Sequence, residues 1–176
     1  MRMTKVKKTQ DFGLIGLIRV ENVGDKWEIF DRNKGEYIGK DYDQVYKPIV
    51  HNQRYAMAFI KDGDTSIIFD GTPLNAGYVK IKGLQFSPDG RRIGYIGMLK
   101  TGEFVAMSHA DPHYGSSKGY FQSDPSKSIT NLKMRNDDIS FDIRKKGGKK
   151  RGYSIALAKL KEEPDDTDWD AVFHKK

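Results

Sequence analysis

The sequence predicts an all-β fold, a small array of about four short antiparallel sheets, each built from a unit of roughly forty residues. Apolar residues come in strand-length runs bounded by Gly, Asp and Asn, and helical spacing is almost absent before the C-terminus. Gly24, Gly63 and Gly102 recur 39 residues apart, each between two such runs. At 176 residues the chain has room for one domain with a core of its own.

Taken in order, residues 1–11 form a basic N-terminal segment with Lys5, Lys7 and Lys8. The apolar run that follows, 12–18, is cut short by Arg19 and has no small-residue cleavage site, so it is expected to open a strand rather than to act as a secretory signal. The clearest runs are 14–20, 27–30, 55–60, 67–69, 93–98, 104–107, 139–143 and 153–157. Within a unit, two runs are joined by a turn containing Gly, because a tight hairpin needs positive φ at one position. A fourth copy reads 139–143, a long turn at 144–151, then 152–157. It arrives late because 109–128, rich in Gly, Ser, Pro and Asp, is expected to be an extended, exposed connection. The repeated domain thus spans 12–160. After it, 162–170 holds six acids and no base, so 161–176 is expected to be a separate acidic tail.

One segment carries a family likeness. In Leu84-Gln85-Phe86-Ser87-Pro88-Asp89-Gly90-Arg91-Arg92-Ile93-Gly94-Tyr95, Phe86 is suited to fill the space between neighbouring sheets. Pro88 fixes φ, and Asp89-Gly90 turns the chain into the next strand. This resembles the repeat of the TolB-like, WD40-like β-propeller families. The same slot reads 49–55 in the preceding unit and 132–139 in the last, with apolar-turn-apolar order kept. The resemblance implies radial four-stranded blades, with N-terminal strands completing a blade begun by C-terminal ones. The Trp-Asp dipeptide of the WD40 group is absent from the repeats, and there is room for only about four blades, the low end of the usual range. A closed ring, an open stack and a ring completed by a second copy all fit.

The absence of cysteine removes disulfide frameworks, thiolate zinc sites and cysteine nucleophiles. It suits a reducing compartment, and with no long apolar stretch the expectation is a soluble, cytoplasmic protein without membrane contact. His109-Ala110-Asp111-Pro112-His113 offers two imidazoles and a carboxylate on a loop, the basis of a minor metal-dependent alternative; a Pro-containing turn explains the same residues. Asp166-Thr167-Asp168 begins like a calcium loop but lacks its Gly and distant Glu. Asp11-Phe12-Gly13 matches a kinase tripeptide without the rest of that machinery. No catalytic residue, cofactor or resident metal is therefore expected.

Two features remain. Arg144, Lys145, Lys146, Lys149, Lys150 and Arg151 place six cations within eight residues at a hairpin turn, suited to phosphates or an acidic protein surface. In a closed ring Lys5, Lys7 and Lys8 would lie close to them. In the tail, Thr167 and Asp170 could cap a short helix with Trp169, Val172 and Phe173 on one side, suited to a groove on a protein partner. The net charge is +7, and without residues 162–176 the remainder carries +11. The sequence thus points to a non-enzymatic binding or adaptor protein with a protein partner. Nucleic-acid binding by the basic hairpin, with the acidic tail as autoinhibitor, is the alternative. The oligomeric state stays open.

Overall fold

Seven of the eight apolar runs fall in middle strands of four antiparallel sheets, two in each of the first three and one in the fourth, and the run 153–157 falls in the fourth sheet's edge strand. The computed structural model describes residues 3–12, 18–32, 34–110, 120–136, 138–144 and 150–157. The first sheet is β1 (Gln10–Phe12), β2 (Ile18–Val23), β3 (Lys26–Asp31) and β4 (Glu36–Tyr42). The second is β5 (Gln44–Val45), β6 (Ile49–His51), β7 (Arg54–Lys61), β8 (Asp64–Phe69) and β9 (Thr72–Tyr78), with β5 and β6 both pairing β7. The third is β10 (Lys80–Phe86), β11 (Arg92–Met98), β12 (Phe104–Ala110) and β13 (Tyr120–Gln122). The fourth is β14 (Ile129–Met134), β15 (Asp138–Arg144) and β16 (Lys150–Ala156). The first, third and fourth sheets are meanders in chain order, as a propeller blade is, and the second is one from β7 to β9.

The spaced glycines hold equivalent places. Gly24, Gly63 and Gly102 sit in the turns β2–β3, β7–β8 and β11–β12 with φ of 69°, 82° and 84°. The Ser-Pro-Asp-Gly slot is equivalent too, lying between the first and second strands of its sheet, where β6–β7 and β14–β15 also turn. There the Gly90 amide donates to Ser87 O at 2.9 Å, and the Ser87 hydroxyl accepts from the Arg92 amide at 3.0 Å. Phe86 reaches across the gap between sheets to Phe69, with ring centroids 5.8 Å apart.

Gly90 is needed twice over. Its φ is 72°, and a Cβ there would lie 2.4 Å from His51 Cδ2. Gly90→Ala is expected to lower stability by about 2 kcal/mol, from backbone strain and the displaced imidazole together. Equilibrium urea unfolding checks it, and a variant as stable as the parent would remove Gly90 from this role.

Three buried clusters lie between consecutive sheets. Val20, Ile29 and Trp27 of the first sheet meet Tyr55, Met57 and Phe59 of the second. On the opposite face of β7, Ala56 and Ala58 join Ile67, Phe69 and Tyr78 against Ile93, Tyr95 and Met107 of the third. Ile96, Ala106 and Phe121 then pack on Ile139, Phe141 and Ile155 of the fourth. The second and third sheets are covered on both faces, so β7 and β11 each bury five consecutive residues. The first and fourth are covered on one face, and β3 and β15 alternate.

This alternation leaves the first and fourth sheets with one uncovered face each among the described residues. The outward residues of β15 are Asp138, Ser140, Asp142 and Arg144, a polar face that does not need another sheet. Among the described residues no cluster joins the first sheet to the fourth, and those residues form an open stack. The expected completion of a C-terminal blade by N-terminal strands does not occur among the described residues. β1 pairs with β2 in a sheet of its own, and residues 4–6 run along the second sheet instead. There the Val6 amide donates to Val45 O at 2.9 Å and the Lys47 amide to Thr4 O at 2.7 Å. Val6 is buried, and burying it beside Val45 and Tyr55 is what holds the segment on this sheet. No described helix is long and apolar enough to cross a membrane.

Candidate binding surface

Antiparallel meanders place the turns between second and third strands at one end of the stack and the remaining turns at the other. At the first end, the tips of the first three sheets carry mixed charge: Lys26, Lys61 and Lys100 against Asp25, Asp62, Asp64 and Glu103. They are tied to one another. Lys26 pairs with Asp43, whose other carboxylate oxygen accepts from the Asp62 amide at 2.9 Å. Lys100 reaches Asp64 on the neighbouring tip at 3.1 Å. The hydrogen bond to Lys26 holds the Asp43 carboxyl below its ordinary pKa and raises that of the lysine.

The fourth tip is different. Arg144 and Lys150 form the last pair of β15 and β16, and both are exposed, as is Arg151. Lys145, Lys146 and Lys149, between them in sequence, lie outside the described residues. The sequence thus puts six cations and no acid on this tip, while the other three are balanced. Lys5 is not brought to it. It bridges Tyr46 at the edge of the second sheet, away from the fourth sheet that carries the hairpin.

Beside the basic tip, the outward face of the fourth sheet forms an open groove of 580 Å³ lined by Asn131, Lys133, Ser140, Asp142, Gly152 and Ser154, with Phe141 and Tyr153 contributing. Gly152 leaves the gap, since a side chain there would stand in the groove. Asn131 Nδ2 donates to Asp142 Oδ2 at 2.6 Å along its wall. Tyr153 stacks on Phe141 at 5.7 Å, and the Arg151 guanidinium lies 5.9 Å from the Tyr153 ring centre. The groove was not legible as a unit, because its walls come from three strands. The signal that could have found it is Gly152 opposite Asp142 in a strand pair otherwise carrying side chains.

At the other end of the stack the turns are knitted together. Arg54 Nε donates to Asp70 Oδ2 at 2.7 Å, and Arg54 NH1 donates to Gly90 O of the next sheet at 2.7 Å. The Asp89 amide in turn donates to Asn136 Oδ1 of the fourth sheet at 2.9 Å. This end is a set of cross-sheet ties rather than a site.

His109 is not on a loop. It lies in β12, opposite Ile93 and Tyr120. Its Nε2 shares a hydrogen bond of 2.9 Å with the Tyr95 hydroxyl, and the two rings are parallel. Burial depresses the imidazole to about 4, so it is neutral at ordinary pH. Strand pairing extends the chain through His109 and Ala110 because Met107 and His109 face the same side as Tyr95 and continue the buried row. Asp111 and His113 lie outside the described residues, and those residues contain no cluster of three or more metal-ligating side chains. The tail residues Trp169, Val172 and Phe173 also lie outside them.

The class that the fold defines is an all-β protein of four antiparallel sheets, compatible with a propeller-like arrangement. No family model matches the chain, and no curated protein does.

Proposed function

We propose that this chain is a non-enzymatic binding protein that engages an acidic surface on a protein partner through the fourth hairpin tip. The observation that supports this is the charge asymmetry of one end of the stack: three tips balanced and cross-linked, the fourth holding Arg144, Lys145, Lys146, Lys149, Lys150 and Arg151 without an acid. Concentrated like charge costs stability unless something of opposite sign meets it, and it speeds encounter with such a surface. The Ser87–Arg92 turn supports kinship with the TolB-like, WD40-like repeats, whose sheets act as scaffolds for presented loops.

Nucleic acid is the second reading, since the same cations suit phosphates. It is the weaker one. Single-stranded ligands need exposed rings on which bases stack, and the nearest ring, Tyr153, is turned onto Phe141 and half-buried.

Replacing the six cations by Gln and comparing the proteins retained by the parent and the variant from the same extract tests the proposal. A retained protein with an acidic surface, lost from the variant, is the expected result. Equal retention by both would end it. Fluorescence anisotropy with DNA and RNA oligonucleotides separates the second reading, which requires tight binding at low salt that weakens steeply as salt is added.

A further inference from the structure

Among the described strands, every sheet edge but one is short, bulged or covered, the devices by which proteins prevent edge-to-edge pairing. β1, β6 and β13 have three residues each. β4, β9, β10 and β14 shift register against their neighbours. β5 lies under residues 4–6. Among the described residues β16 is neither short, bulged nor covered: its seven residues pair one to one with β15, without a shift, a proline or a positive φ, and its only charges, Lys150 and Arg151, stand together at one end. Its sheet has three strands where each of the others has at least four.

The direction of its free backbone groups follows from the ladder. The Arg144 amide donates to Ser128 O, and Asp138 O accepts from Arg135, so the even-numbered residues of β15 point away from β16. The odd ones therefore bond β16, through Arg151, Tyr153 and Ile155, which are opposite them. Lys150, Gly152, Ser154 and Ala156 direct their N–H and C=O outward, and all four are exposed.

We propose that β16 pairs antiparallel with β16 of a second copy of this chain, across a two-fold axis at Tyr153, joining two three-stranded sheets into one. Charge selects the direction. A parallel in-register pairing sets Lys150 and Arg151 against their own counterparts, which is unfavourable. The antiparallel one sets Lys150 opposite Ala156, Arg151 opposite Ile155 and Gly152 opposite Ser154. Tyr153 meets its counterpart at a non-hydrogen-bonded position, where Cα atoms approach to about 4.5 Å.

The acidic tail argues for a second copy over the chain's own return. Within one copy the basic tip and the end of β16 lie at opposite ends of the strand, about 20 Å apart at the usual rise per residue. In the antiparallel pair Ala156 of one copy stands opposite Lys150 of the other, so the acids that the sequence carries at 162–170 leave from the end at which the second copy has its six cations. This pairing does not rest on the partner proposed for the hairpin.

Sedimentation equilibrium of the full chain is expected to give twice 20.1 kDa, falling towards 20.1 kDa on dilution. Ser154→Pro removes one outward N–H and spares the ladder to β15, so it is expected to give 20.1 kDa with unchanged far-UV circular dichroism. Because the chain lacks cysteine, Tyr153→Cys is expected to form a disulfide-linked dimer on mild oxidation, and Thr130→Cys, exposed on β14, is not. A parent chain that stays at 20.1 kDa at every concentration overturns the proposal. So does a folded Ser154→Pro variant that remains dimeric, or cross-linking through Cys at 130 as fast as at 153. If Ser154→Pro fails to fold, the two cysteine variants decide.

Discussion

Tyr95→Ala is expected to lower the unfolding free energy by about 4 kcal/mol, the largest loss of any single change considered. Tyr95 is fully buried in β11, on the face that meets the second sheet. Its ring lies edge-on to Tyr78 at 5.9 Å and parallel to His109 at 5.7 Å. Truncation opens a cavity between the two sheets that are covered on both faces, where neighbouring strands have little freedom to collapse into it. It also takes the hydroxyl from His109 Nε2. Thr130→Ala, on the exposed part of β14, is the control and is expected to change stability by less than about 0.5 kcal/mol. Urea unfolding at neutral pH measures both. Equal, small losses would show that the middle of the stack is not where the stability resides.

The second large effect is on pH dependence. His109 is depressed from 6.5 to about 4 by burial, whereas in the unfolded chain it titrates near its ordinary value. Between those two values the unfolded state binds a proton that the native state does not. Stability is therefore complete above about 6.5, falls as the pH drops through this window, and stops falling on this account below about 4. The whole loss is roughly 3 kcal/mol, from 1.36 kcal/mol for each pH unit of depression. Tyr95, whose ring faces it, does not titrate there, since burial raises it further above 10. The carboxyls of Asp43 and Asp89 are held below 3.8, so they lose protection only at lower pH. Chemical unfolding of the parent and of His109→Gln at several pH values between 4 and 7 tests this. The slope is expected in the parent and absent in the variant; parallel curves would refute it.

The fold was legible where both faces of a strand, or one face in strict alternation, are apolar. The runs around 55–60 and 93–98 are uninterrupted, and 27–30 and 139–143 alternate; these are the middle strands of their sheets. The edge strands escaped notice. β4 reads Glu-Tyr-Ile-Gly-Lys-Asp-Tyr and β14 Ile-Thr-Asn-Leu-Lys-Met, too polar and too bulged to stand out from loops, because an edge strand meets water along its free side. The same contrast held a clue to closure that went unread. In a closed ring every sheet has two covered faces, yet only the second and third units lack alternation.

The candidate surface was legible in part. The six cations from Arg144 to Arg151 are contiguous in the chain, so no folding was needed to see them. That they stand alone at an end whose other tips are balanced depends on the strand order, and so does the separation of Lys5 from them. His109 shows the reverse case. Its neighbours in sequence, Asp111 and His113, suggested a loop site, and its neighbour in space is Tyr95, fourteen residues away.

What the sequence by itself determined is the class of fold, the number of sheets and the position of each Gly turn. All are set by side-chain periodicity and by the φ values open to glycine, which are properties of short stretches. Tertiary structure alone decided that the described residues form an open stack, that residues 4–6 lie on the second sheet and that, among the described residues, β16 is left as a regular, uncovered edge. Those outcomes turn on which faces meet, and apolar surface is buried wherever the chain lets two faces come together, a condition no single stretch carries.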